Sequence, residues 1–290
     1  MRDLARLRAN PRLRGPLGLA EAQQHAQTGQ QDAALDALER ALEEGCQYRR
    51  EWLESDRALA PLRDLPRFRD IVARADARYA EAAAAARPKL MFAMPDEPPD
   101  AFGYPLLLVL HGNNSNASET APYWSSMADA GWVVAVPQSS EVGMTPDTYV
   151  WNDRERTASE LLTHLEKVKH STQIDVGRIV LAGFSMGATQ AIALPLAGKI
   201  KVRGIFPIAA WLPHVREFTR LIEDGAGRML RSYIVVGDQD QSADGARALY
   251  ELFSAHGMRT QLDVREGLDH DYPPDIHATL VRALEFLTAP

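Results

Sequence analysis

The stretch IVLAGFSMGATQAIAL, Ile179 to Leu194, presents one serine, Ser185, where an aliphatic run gives way to an alanine-rich, helix-favouring segment. Gly183-Phe184-Ser185-Met186-Gly187 fits G-x-S-x-G, a sharp strand-to-helix turn that projects a hydroxyl out of a sheet. The glycines keep side chains off the neighbouring backbone. The helix that begins there aims unpaired N–H groups and its positive dipole end at the same point, which suits an oxyanion. A structural turn serine is the competing reading. A serine hydroxyl is a weak nucleophile near neutral pH, so it needs an imidazole base, and the imidazole needs a carboxylate to hold its tautomer. Downstream, YIVVGDQDQSA ends one apolar run and supplies Asp238 and Asp240; QLDVREGLDHDYPP ends the next and supplies His270. Of the other histidines, His256 closes a helical pattern before Gly257 and His277 lies in the last helix. His25, His164, His170 and His214 fall on segments that suit solvated side chains.

These groups need a frame. Short apolar runs predict strands at Leu90 to Ala93, Leu106 to Leu110, Trp132 to Pro137, Arg178 to Ala182, Gly204 to Ile208, Tyr233 to Val236 and Gln261 to Val264. Amphipathic segments predict helices at Arg154 to Lys169, Met186 to Ala197, Ala243 to His256 and Asp275 to Leu287. Continuous apolar strands alternating with helices specify an α/β fold, a mostly parallel sheet with helices on both faces. Ligands bind such sheets at the carboxyl ends of the strands. There LLLVLHGNNSNAS, Leu106 to Ser118, runs from a buried strand into an asparagine-rich turn with backbone N–H groups available to a ligand; an ordinary Asx turn is the alternative. Trp151 and Trp211 either line an acyl pocket or pack in the core. The Pro-rich PDEPPDAFGYP, Pro95 to Pro105, reads as a loop. Leu212 to Ser232 is a helical excursion, either a lid or a crossover.

The grammar changes near residue 88, so residues 1–88 read as a small all-α helical-hairpin region and residues 89–290 as the catalytic domain. Ala22, Ala34, Leu38 and Ala41 set small and apolar residues where two helices touch, with Gly29 in their turn. This hairpin resembles one tetratricopeptide repeat. A helical cap and a surface for a protein partner or self-association are both open uses of it. Among 290 residues, 32 basic against 39 acidic give a formal charge of -7, which argues against nucleic acid as a partner. The single cysteine, Cys46, offers no disulfide framework and no thiolate pair for a metal. A basic start without a signal-peptide core, and no run of roughly 18–20 apolar residues, lead us to expect a cytoplasmic chain with no membrane span.

HGNN, TYVWND, IDVGRIVLAGFSMGA, FPIAAWLP, VVGDQD and GLDHDYPP occur in the order found in the phospholipase/carboxylesterase group of the α/β-hydrolase superfamily, which includes acyl-protein thioesterase-like enzymes. From about Leu106 to Leu287 the chain resembles that group. Ala188, where many relatives have glycine, is a departure. The resemblance implies hydrolysis of carboxylic esters, and in some members thioesters, without metal or cofactor. It implies a triad of Ser185, Asp240 and His270 in chain order, with Asp240 in the family's G-x-x-D loop preferred to Asp238. It implies backbone N–H donors from Asn113 and Met186, while His111 holds its turn; Asn114 offers a side-chain donor. Trp151, Trp211 and Asn114 are thus candidates for contact with a small ester substrate. A peptidase on the same fold, and an interaction protein in which the hydrolase domain is secondary or inactive, are the alternatives.

Overall fold

In the computed structural model, which describes residues 10–213 and 215–289, the apolar runs form one seven-stranded sheet. Its strands are β1 (Lys89–Ala93), β2 (Tyr104–Leu110), β3 (Val133–Gln138), β4 (Ile174–Phe184), β5 (Gly204–Ile208), β6 (Arg231–Gly237) and β7 (Thr260–Arg265). Their spatial order is β1-β3-β2-β4-β5-β6-β7; β1 pairs antiparallel with β3 and every other pair is parallel. The fold is that of an α/β-hydrolase. His214 and the first nine residues of the basic amino-terminal segment lie outside the described residues.

The period-2 alternation of the strands divides their side chains between two apolar layers. Leu107, Val109, Val134, Val136, Val180 and Ala182 pack with Trp124 of α5 (Ala117–Trp124) and Leu280 and Leu284 of α10 (Ile276–Thr288). Leu106, Leu108, Leu110, Val133, Ala135 and Leu181 pack with Leu161 and Leu165 of α6 (Arg154–Ser171) and Leu194 of α7 (Met186–Leu196). Helices α8 (Arg216–Glu223) and α9 (Ala243–Ala255) cover the β5–β6 end, where Phe218 and Leu249 join Ile205, Ile234 and Val236. Because both faces are covered, β3 and β6 are buried along their whole length and show no polar alternation.

The structure differs from the sequence reading in several places. Pro105 belongs to β2, at a register irregularity between Tyr104 and Leu106, where an unpaired N is tolerated. Strand β4 runs eleven residues, beginning at Ile174 and ending at Phe184. Helix α5 was not expected: Pro122 lies inside it and masks the period, while Asn116 caps it by accepting from Glu119 N at 3.1 Å. Within 212–232 the helical part is α8 alone.

The described residues form two compact units, residues 10–87 with 140–150, and residues 88–139 with those from 151 to 289. In the first, α1 (Arg14–Gln27) and α2 (Gln31–Glu43) form a hairpin whose turn places Gly29 at φ 77°. Ala22, Ala34, Leu38 and Ala41 are buried between them. Helix α3 (Arg50–Glu54) and the long α4 (Pro66–Ala85) complete this core with Leu53, Phe68 and Ile71. The loop Ser140–Val150, which the sequence reading grouped with the second region, joins this unit. Gln47 N donates to Met144 O at 2.9 Å, and Thr145 Oγ1 donates to Arg12 O at 2.9 Å. A loop without apolar period carries no sequence signal for such grouping. No helix among the described residues is long and apolar enough to cross a membrane.

Candidate active site

Ser185 sits between the end of β4 and the start of α7 with φ 54° and ψ -120°, in the region that L-residues avoid. The turn is pinned on both sides: Ser185 N donates to Ile208 O at 3.0 Å, and Ser185 O accepts from Thr189 N at 3.1 Å. Close approach explains one flanking glycine directly. A Cβ on Gly187 would lie 2.3 Å from His111 O and 2.5 Å from Leu110 O, so α7 begins against the end of β2 with no room for a side chain.

The loops after β6 and β7 meet by the same device, since a Cβ on Gly237 would lie 2.0 Å from Leu268 O. They deliver Asp240 and His270 to the serine. His270 Nδ1 is 2.8 Å from Asp240 Oδ2, and His270 Nε2 is 3.0 Å from Ser185 Oγ. Asp240 is 4% exposed, and its other oxygen accepts from Ser242 N at 2.8 Å. Nδ1–H therefore donates to the carboxylate and Nε2 faces the hydroxyl, a tautomer assigned from the hydrogen-bond network. Asp238 is engaged elsewhere: its Oδ1 accepts from Gly267 N at 2.8 Å and braces the β7 loop. His270 also lies against Phe184, with ring centroids 4.9 Å apart, and Phe184 stacks on Tyr272.

The loop after β2 supplies the opposite wall. A Cβ on Gly112 would stand 3.6 Å from Ser185 Cβ, so Asn113 follows at the serine's side. The Asn113 side chain is committed to the loop: Oδ1 accepts from Trp151 N at 3.1 Å and Nδ2 donates to Asn152 Oδ1 at 3.1 Å. Met186 is the first residue of α7, where an N–H has no intrahelical acceptor. Asn114 takes φ 54°, a left-handed conformation that asparagine tolerates and that turns the chain toward α5.

Trp151 is the brace of this loop. Completely buried, it donates its indole Nε1–H to His111 O at 3.0 Å, and its own carbonyl accepts from Gln190 Nε2 at 2.7 Å. Trp211 is 39% exposed and stands at the rim, its N donating to Ser185 O at 3.4 Å. His111 is buried beneath the loop, with Nδ1 2.8 Å from Gly112 O and Nε2 accepting from Ser139 N at 3.3 Å. Burial pushes its pKa down to about 4, so at neutral pH the ring is uncharged and serves as a spacer. Arg154, Gln190 and Asn152 carry little local signal in the sequence. A helical arginine and glutamine carry no motif, although Asn152 lay within TYVWND.

With this geometry in hand, comparison with known proteins is informative. The Phospholipase/Carboxylesterase family profile matches residues 140–287. The chain belongs to that family and is a carboxylesterase-type hydrolase. An uncharacterized protein from Bacillus cereus is 26% identical, with TM-score 0.58, covering 94% of this chain and 87% of its own. Esterase PE8 is 16% identical with TM-score 0.56, over 68% of this chain and 96% of its own. Zea mays acyl-protein thioesterase 2 is 15% identical with TM-score 0.52, over 69% of this chain and 98% of its own; these two likenesses establish shared fold. No curated protein sequence gave a match.

Two outcomes follow. Unfolded histidine ionises near 6.5 and folded His111 near 4, so between these values the unfolded chain binds the extra proton. This contribution is complete above about pH 6.5 and declines as the pH falls toward 4, by up to about 3 kcal/mol. Urea unfolding at pH 7.5 and pH 5 should show a steeper loss for wild type than for His111→Gln; equal slopes would contradict a neutral buried ring. Replacing Trp151 by Phe leaves His111 O without its donor and should cost about 1–3 kcal/mol in the same assay. An unaltered unfolding midpoint would mean the indole is not the brace.

Proposed function

We propose that the protein hydrolyses carboxylic esters by serine acyl transfer, with Ser185 as nucleophile, His270 as base and Asp240 as the carboxylate that orients it. One observation carries this reading: His270 bridges a buried aspartate at 2.8 Å and a serine hydroxyl at 3.0 Å through its two different nitrogens. That arrangement fits activation of a hydroxyl and no structural need of the sheet. The chain order Ser, Asp, His agrees with it.

As His270 Nε2 takes the hydroxyl proton, Ser185 Oγ attacks the ester carbonyl, and the tetrahedral oxyanion is received by the backbone N–H groups of Asn113 and Met186. Each such donor is worth about 3 kcal/mol at the transition state. The imidazolium returns its proton to the leaving alkoxide, giving an acyl-enzyme and free alcohol. Water repeats the cycle: His270 removes its proton, hydroxide attacks the acyl carbon, and Ser185 leaves with the proton restored. Asp240 stays ionised and stabilises the imidazolium throughout. The same attack serves a thioester, whose thiolate is a better leaving group.

A series of p-nitrophenyl esters from acetate to palmitate tests the reading. Ser185→Ala should lose turnover by at least about 10³-fold while its unfolding midpoint stays near wild type. Asp240→Asn should lose about 10⁴-fold, far more than Asp238→Asn, because only the former touches the imidazole. Wild-type rates in folded Ser185→Ala would remove the nucleophile from the scheme, and a larger loss in Asp238→Asn would move the acid there.

A further inference from the structure

A cavity of about 240 Å³ opens beside Met186, walled by Asn152, Arg154, Gln190, Trp211 and Glu217 among its residues. Five of its ten lining residues are polar, and two of those side chains are incompletely satisfied. Gln190 is 4% exposed; its Nε2 is spent on Trp151 O, and its Oε1 is buried without a partner among the described residues. Arg154 meets Glu217 by a single Nη2 to Oε1 contact at 3.5 Å, while its Nε is buried and unpartnered. A guanidinium carries five N–H donors, and a buried donor left unpaired is costly.

The placement of the two charges is uneven. Arg154 is the first residue of α6, where the helix dipole disfavours a cation and favours an anion brought to it. Glu217 lies in the first turn of α8, half exposed, where a carboxylate is comfortable without the arginine. Glu217 can therefore yield its place at little cost. A ligand carboxylate that took it would accept from two guanidinium N–H groups at once, the geometry in which arginine binds carboxylates best.

The cavity touches Met186, next to the serine, and Asn152, which accepts from the Asn113 side chain, so an acyl group carried on Ser185 can extend into it. Its volume holds about eight groups of the ~30 Å³ that a water occupies, which suits a short chain with a polar end. An alkyl tail would leave Arg154 Nε unpaired, whereas a carboxylate accepts from it. Resting on the serine esterase reading above, we infer that this cavity is an acyl subsite for short acyl groups ending in a carboxylate, that is, half-esters of dicarboxylic acids, with Arg154 as the specificity-determining residue and Glu217 as the group the substrate displaces.

The test compares kcat/KM for p-nitrophenyl butyrate and p-nitrophenyl hemiglutarate. Wild type should favour the hemiglutarate. Arg154→Gln should lower the hemiglutarate-to-butyrate ratio by about 10- to 100-fold, with partial recovery in Arg154→Lys, and Glu217→Gln should raise it. A ratio unmoved by Arg154→Gln overturns the subsite while serine-dependent butyrate turnover leaves the esterase standing. Glutarate binding to Ser185→Ala, measured by calorimetry with and without Arg154→Gln, separates the two claims. Arginine-dependent glutarate binding, together with no ester turnover by folded wild type, supports the subsite and sinks the esterase; binding indifferent to Arg154 sinks the subsite.

Discussion

The backbone of Ser185 is the constraint around which the second unit is organised. A non-glycine residue at φ 54°, ψ -120° costs on the order of 1–3 kcal/mol and persists only where its surroundings over-determine it. Here the surroundings are the sheet and the helix together. Parallel pairing sets Gly183 opposite Leu110 on one side and Pro207 on the other, and α7 is buried on nearly every face. The helix cannot back away, and Gly187 lets it press on the carbonyls of Leu110 and His111. The serine is thus exposed by a structure that holds its main chain tightly, the condition under which a hydroxyl keeps one position through bond formation and cleavage.

The second condition is electrostatic. Asp240 is buried, yet each of its oxygens has a donor, one from an imidazole and one from a backbone amide, so its charge is compensated where water is scarce. Asp238, two residues earlier, spends itself on Gly267 N and fixes the loop that carries His270. The neighbouring carboxylates therefore divide the work, one holding the His270 imidazole and the other the loop that carries it. His111 completes the arrangement by remaining neutral. A charged ring there would turn Nε2 into a donor facing Ser139 N–H.

What the sequence disclosed follows from which physical signals are local. The elbow is legible because G-x-S-x-G encodes sterics within five residues, and the parallel sheet because strands buried on both faces read as unbroken apolar runs. Strand centres were placed well, while β4 extended farther toward its start because Ile174–Gly177 lacks apolar continuity. Trp151 was assigned to either a pocket or the core on equal terms; its indole N–H to His111 O depends on residues forty positions apart, which no local pattern holds. Helix α5 hid behind Pro122. Arg154 and Gln190 look like ordinary helical residues until α8, far along the chain, sets Glu217 across from them.

This last case shows where substrate range is decided on such a scaffold. The proposed catalytic groups stand on strand ends and tight turns, fixed by glycine contacts that admit little change. The cavity beside them is bounded by the first turns of α6 and α8 and by the rim tryptophan, positions that the elbow does not constrain. Residues 154 and 217 take no part in the sheet register, the elbow or the imidazole contacts, so on the proposed reading the chemistry and the choice of acyl group are separable. Because Gln190 sits on the same helix as the serine turn and also holds the Trp151 carbonyl, it is the one wall residue that ties the two together.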